Sequence, residues 1–183
     1  AATLTTGNDN TSTTFSGAIS GTGGLTKTGS GTLLLTGTSN YTGATTVNAG
    51  VLNLQNNTAT GTVAGGVTVA NNAALELQGG ITVGAEALSI NGTGVVGNGA
   101  LRNISGDNSW GGAVTLAGNS EIQSDAGTLT LNTVTGATRT LTFDGTGNGL
   151  IGGAITTTTG GLLKNGAGAL TLQGASTYTG ATA

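Results

Sequence analysis

The stretch GLTKTGSGTLLLTGTSNYTGAT, residues 24–45, returns near the far end of the chain as GLLKNGAGALTLQGASTYTGAT, residues 161–182. Aligned without gaps at an offset of 137, the two share 14 of 22 positions, which marks an internal repeat. The differences carry the physics. Leu33 and Leu35 recur as Leu170 and Leu172, whereas Leu34 becomes Thr171 and Thr36 becomes Gln173. Residues two apart lie on one face of a strand, so 33 and 35 face inward while 34 and 36 face water. Gly29, Gly31, Gly37 and Gly43 recur as Gly166, Gly168, Gly174 and Gly180, at places where turn geometry would strain other residues.

Outward from this repeat the same grammar continues. Short alternating runs, VLNL (51–54), VTV (67–69), ALEL (74–77), AVTL (113–116), TLTL (128–131) and TLTF (140–143), are separated by Gly-Gly, Asn-Gly and Asn-Asn steps. Those steps are turn signals, and nothing recurs at helical spacing. Strands of four to six residues with small side chains and 3% aromatics suit stacked rungs better than an antiparallel sandwich. The expectation is an all-β, right-handed parallel β-helix of about eight rungs, roughly 22 residues each, with three short strands per rung. One such solenoid segment spans residues 1–183, as part of a longer repeat protein.

Composition narrows the function. Of 183 residues only 6% are charged, the net charge is −3, and there is no Cys, His, Met or Pro. Lys27, Arg102, Arg139 and Lys164 are scattered, which excludes a nucleic-acid stripe. No apolar run approaches the ~20 residues of a membrane-spanning helix, so no membrane insertion of this segment is expected. The N-terminal AATLTTGNDN has neither the basic stretch nor the apolar core of a signal peptide. Without His or Cys the common nucleophile pairs cannot form.

Residues 23–54 resemble the autotransporter-associated β-strand repeat, through the spaced glycines, Leu25, Lys27, Leu33, Leu35, Tyr41, Thr45, Val47, Leu52 and Leu54. A partial second copy covers 160–182. The resemblance implies a parallel β-helix exported to the bacterial surface or beyond, serving as stalk or adhesive scaffold, with no reaction.

The remaining candidates are read against that background. Lys27 and Lys164 read as solvated turn lysines, although Lys27 is in phase with Leu25. Among seven carboxylates, Glu76 and Glu86 could align on one face as a paired-acid site, whereas Glu121 and Asp125, though close in sequence, are separated by an apolar residue and a turn; all read as ordinary solvated residues. The glycines of NGTGVVGNGA (91–100) lack the acids of a calcium loop, and GTGNGLIGG (145–153) lacks the context of a phosphate loop. Tyr41 and Tyr178 occupy one repeat position and read as turn anchors. Trp110 has no counterpart and is the candidate contact surface, able to stack on a sugar. Thr-x-Thr steps invite comparison with ice-binding arrays, but their spacing along the chain is irregular.

The expected function is therefore a non-catalytic, extracellular stalk or head-to-tail filament segment, without cofactor or metal. The alternative is an adhesin module binding a host or surface glycan through Trp110. Open rungs at the solenoid ends would favour self-association end to end, or continuation within a longer chain.

Overall fold

The computed structural model describes residues 1–183. The chain forms twenty strands and a single 3-10 turn, Val95–Gly97. Every strand pair is parallel. Register partners on one side of the coil, here face 1, run Leu4, Leu25, Thr45, Val67, Leu88, Val114, Val134 and Ile155. These eight positions mark eight rungs, and the seven spacings between them are 20–22 residues, apart from one of 26 between Leu88 and Val114. At about 4.8 Å per rung the coil is roughly 40 Å long. It is the β-solenoid that the alternation predicts.

Face 2 follows face 1 in each rung. Its strands include Thr32–Leu35, Gly50–Leu54, Ala73–Gln78, Leu101–Ser105 and Leu141–Asp144. One inward row stacks Leu33, Leu52, Leu75, Leu101, Ile122 and Phe143. Strand Val114–Ser124 bends round the corner and pairs on both faces. Face 3 holds Thr82–Val83, Asn108–Trp110, Thr128–Leu131, Asn148–Ile151 and Leu170–Leu172. The rungs close on one core of 31 buried apolar residues. Burying one such leucine contributes roughly 1.5–3 kcal/mol before ordering entropy is subtracted.

Three strands per rung hold from the fourth rung onward. In the first three rungs the third side is irregular backbone, because residues 17–23, 37–43 and 56–65 are rich in Gly, Ser, Thr and Asn and offer no apolar alternation. The inter-rung hydrogen bonds persist all the same: Asn40 N–H donates to Ile19 O at 3.0 Å and Thr62 N–H to Tyr41 O at 2.9 Å.

The internal repeat does not keep its face. In the first copy Leu25–Lys27 lies on face 1 and Thr32–Leu35 on face 2. In the second, the equivalent Leu162–Lys164 lies on face 2 and Leu170–Leu172 on face 3. The offset of 137 residues therefore spans six full rungs and one further side. The strand–turn–strand unit has simply moved round the coil by one corner. Its turn moved with it: Gly29 and Gly166 hold φ of +65° and +67°. A Cβ on Gly29 would stand 1.9 Å from Gly7 O, and one on Gly166 2.4 Å from Gly145 O. The surplus residues of the 26-residue rung are placed outside the column, where Val96 is 89% exposed.

Leu75→Ala opens a hole in the middle of the face 2 row and should cost about 2–5 kcal/mol. Thr68→Ala, on the outward side of Val67–Val69, should stay within roughly 0.5 kcal/mol. Urea unfolding followed by circular dichroism measures both, and equal losses would refute the assigned column.

Candidate functional site

Trp110 is not a contact surface. It sits on the inward row Val83, Trp110, Leu131, Ile151 and Leu172, is 1% exposed, and its indole N–H donates to Glu86 O at 2.7 Å. The expectation failed because alternation in Asn108–Trp110 places both Asn108 and Trp110 inward, and Asn108 is a buried corner residue. Asn108 fastens that corner: its Oδ1 accepts from Ile81 N–H at 2.7 Å and its amide donates to Ser105 O at 2.9 Å. Tyr41 and Tyr178 are the turn anchors that their repeat position suggests. Each hydroxyl pairs with the threonine four residues on, Tyr41 with Thr45 and Tyr178 with Thr182. Burial pushes the Tyr41 phenol up to about 12.

Lys27 also corrects its first reading. It is fully buried, in the phase that Leu25 sets. Its ammonium donates to Thr28 O at 2.6 Å, Gly29 O at 2.9 Å and Ala49 O at 3.1 Å, so all three donors are used. Desolvation holds its pKa below the usual lysine value. With every proton engaged by a turn carbonyl, it acts as an internal brace for the corner. Lys164 repeats the brace one side further round, donating to Asn165 O and Gly166 O and lying 6.0 Å from the Phe143 ring centroid.

Glu76 and Glu86 do not share a face. Glu76 lies outward on face 2, where Arg102 bridges it at 3.3 Å to Asp125 at 2.6 Å. Asp107 and Asp144 accept from Thr128 N–H and Gly145 N–H. Glu121 stands outward on face 2; burial and then the Asp144 charge raise its pKa. Glu86 is different. It is 2% exposed at the corner between faces 3 and 1. One carboxyl oxygen accepts from the Thr60 hydroxyl; the other, Oε1, has no partner. Desolvation, only partly offset by Thr60, pushes its pKa up to about 7. Alternation could not find this residue, since Ala85-Glu86-Ala87 has no apolar phase to follow.

Glu86 lines a groove of about 460 Å³, opened where the irregular third side of rungs two and three meets Thr82–Val83. Ser39, Asn40, Asn57, Thr62 and Thr82 also line it. The walls are fixed by Thr82 N–H donating to Asn57 Oδ1 at 2.8 Å and Ser39 N–H to Thr58 O at 3.2 Å. The Thr62 hydroxyl is buried and, like Glu86 Oε1, unpartnered. No three His, Cys, Asp or Glu residues come together as a metal cluster.

The threonines are more regular than their spacing along the chain implies. Thr5, Thr26, Thr46, Thr68, Ser89, Thr115, Thr135 and Thr156 are successive register partners on face 1, one outward hydroxyl per rung. Register, not sequence distance, aligns them. A second row does not build up beside them, because the preceding outward positions are Gly24, Ala44, Gly66, Ala87, Ala113 and Ala154, with a hydroxyl only at Thr3 and Thr133.

Glu86 gives the protein a pH-dependent stability of definite sign. Its carboxyl titrates near 7 when folded, against a reference value of 4.5, so the folded state holds the extra proton. The contribution is complete below about 4.5, falls as pH rises from 4.5 to 7, and stays lost above. Unfolding free energy should be lower at pH 8 than at pH 4.5 by up to roughly 3 kcal/mol. Glu86→Gln should flatten that dependence; an unchanged slope in the variant would assign it elsewhere.

Comparison with known proteins finds the same repeat elsewhere. The passenger-associated-transport-repeat family model matches residues 25–54, 122–139 and 162–183. The chain is 40% identical over 83 residues to an adhesin autotransporter, BmaC, of Brucella suis biovar 1, covering 37% of this chain and 2% of that protein. It is 45% identical over 85 residues to an extracellular serine protease of Serratia marcescens, covering 46% of this chain and 8% of that protein. The chain thus spans a small fraction of the relatives it matches. No solved structure matches it. The three repeat matches fall on strand–turn–strand units of the coil, so the chain carries segments similar to the passenger-associated-transport repeat of autotransporters.

Proposed function

We propose that this segment is a stiff, non-catalytic spacer in a passenger that is displayed on the bacterial surface or secreted. One observation carries the reading: the parallel ladder of face 1 runs unbroken through all eight rungs over a single core. Such a coil resists bending because any bend must separate rungs that share amide hydrogen bonds. The groups that could do chemistry support the same role. Lys27 braces a corner, Asp107 and Asp144 cap backbone amides, and Arg102 ties rungs together. The names of the two relatives, an adhesin autotransporter and an extracellular protease, favour a surface or secreted location.

Both ends of the coil expose apolar side chains. Leu4 and Phe15 are 49% and 40% exposed, and with Ile19, Leu25, Leu33 and Leu35 they line an apolar hollow of about 270 Å³. Leu172, the outermost member of the face 3 row, is also exposed. We assign these ends to rung-on-rung contact, with further rungs of a longer chain or with a second copy.

Deleting residues 45–66 removes one rung and joins Ala44 to Val67 in register. In the parent passenger this should preserve folding and display and shorten the projection by about 4.8 Å, as measured by electron microscopy. Loss of display, or loss of a measurable hydrolytic activity, would count against a spacer. Sedimentation velocity of the 183-residue chain at rising concentration tests contact between copies: growing end-to-end species support it, and a monomer throughout restricts the ends to contact within one polypeptide.

A further inference from the structure

From the groove between the third and fourth rungs we infer a recognition site for a neutral saccharide unit, lined by Asn40, Asn57, Thr62, Thr82 and Glu86. This goes beyond the spacer role and does not depend on it. Three independent features converge there. The first is shape: the hollow holds about 460 Å³, within the range of small-ligand pockets. The second is preorganisation. The Asn57 carbonyl is already committed to Thr82 N–H, which fixes the amide in the wall; Thr62 N–H is tied to Tyr41 O at 2.9 Å. The third is unmet polarity. Glu86 is 2% exposed with Oε1 unpartnered, and the Thr62 hydroxyl beside the same hollow is buried and unpartnered.

A buried polar oxygen without a partner costs free energy, and the cost is recovered when a ligand supplies the missing bond. The chemistry of the walls selects the ligand. No Lys or Arg lines the groove and a carboxyl group lies in it, so nothing there compensates the charge of an anion. No aromatic side chain lines it either, so a flat apolar ring would gain little. What remains are amide and hydroxyl groups that both donate and accept, with one carboxyl: Asn40, Asn57 and Thr82 are exposed at the rim, and Thr62 and Glu86 lie deeper. Vicinal hydroxyls of a sugar match that alternation of donors and acceptors. Burial raises the Glu86 pKa to about 7, so near neutrality the carboxyl can accept from one sugar hydroxyl or donate to another. Without a stacking platform the affinity for a single sugar is weak, and repetition of passenger copies on a surface would multiply it.

The test uses the whole 183-residue chain labelled with ¹⁵N. Methyl glycosides of glucose, galactose, mannose and N-acetylglucosamine are titrated separately to tens of millimolar, with sodium chloride and calcium chloride in parallel. At least one glycoside should shift the amides of residues 39–41, 57–62 and 82–86 along a saturable curve. Thr62→Val is the informative variant. Its hydroxyl has no partner within the protein, so the variant should unfold no more easily than the parent, yet bind that glycoside several-fold more weakly. Four outcomes would overturn the inference: no shift with any glycoside, shifts confined to other surfaces, an affinity unchanged in Thr62→Val, or a response to calcium or sodium alone.

Discussion

Adjoining rungs of this protein hydrogen-bond in parallel register, shifted only between Ile90 and Gly92 and between Asn103 and Ser105, and that pairing constrains the rest. A residue at one inward position has its counterpart as ceiling and floor, so a position works only if its side chain stacks on its own kind. The row Leu33, Leu52, Leu75, Leu101, Ile122, Phe143 meets the condition with branched or flat apolar groups. The adjoining row does so differently. Leu35, Leu54 and Leu77 give way to Asn103 and Ser124 in register. The change is tolerated because the Asn103 amide donates to Ser124 Oγ at 3.1 Å and to Ala126 O at 2.9 Å. Buried polarity enters the column only where the neighbouring rung can satisfy it. Extra length enters only at a corner, as in the rung that carries Val96 outward.

The same constraint explains how a repeat unit can change sides. Three faces of a coil are equivalent to a short strand, since each offers the same pairing above and below. The sequence unit that begins at Leu25 or Leu162 encodes strand, tight glycine turn and second strand, but nothing in it names a face. What matters is that its turn falls on a corner. Lys27 and Lys164 make the point in atoms: each donates to the carbonyls of the turn that follows it, although the two turns stand at different corners. A repeat of this type can therefore recur at intervals that are not whole numbers of rungs, which conceals the period from a reading that expects one.

Legibility followed the alternation. Leu33 and Leu35 against Leu34 and Thr36 fixed the inward phase, and the repeated glycines fixed the corners; together they suffice for the solenoid and its rung count. Lys27 is legible too, since it stands two residues from Leu25 and its inward phase outweighs the general tendency of lysine to face water. Trp110 has no repeat counterpart, so the repeat cannot give its direction; that is set by the separate inward row of face 3. Glu86 could not be read. Between Val83 and Leu88 the chain turns a corner, and at a corner the direction of a side chain is set by backbone torsion rather than by period two. The groove was equally hidden, because it is formed by residues some 20 apart in sequence that only register brings together. The outward hydroxyl row of face 1 shows the converse, order created wholly by register.

Register also accounts for the scarcity of charge. Outward residues at one position stand about 4.8 Å apart along the coil, and two like unit charges at that distance repel by roughly 1 kcal/mol even in water. A repeat that copied a lysine or glutamate into every rung would accumulate that cost at each step, whereas threonine and asparagine copy freely. Face 1 accordingly shows hydroxyls throughout. Where charge does appear on face 2, the row runs Asn53, Glu76, Arg102, Gln123 and Asp144, so neighbours are neutral or opposite. Glu121, next to the Asp144 charge, is the exception, and that charge helps raise its pKa. The 6% charge content, which by composition alone looks like low complexity, is what in-register stacking permits. Surface chemistry in such a coil is therefore confined to places where register is broken. The irregular third side of the early rungs is such a place, and there the chain puts its one buried acid.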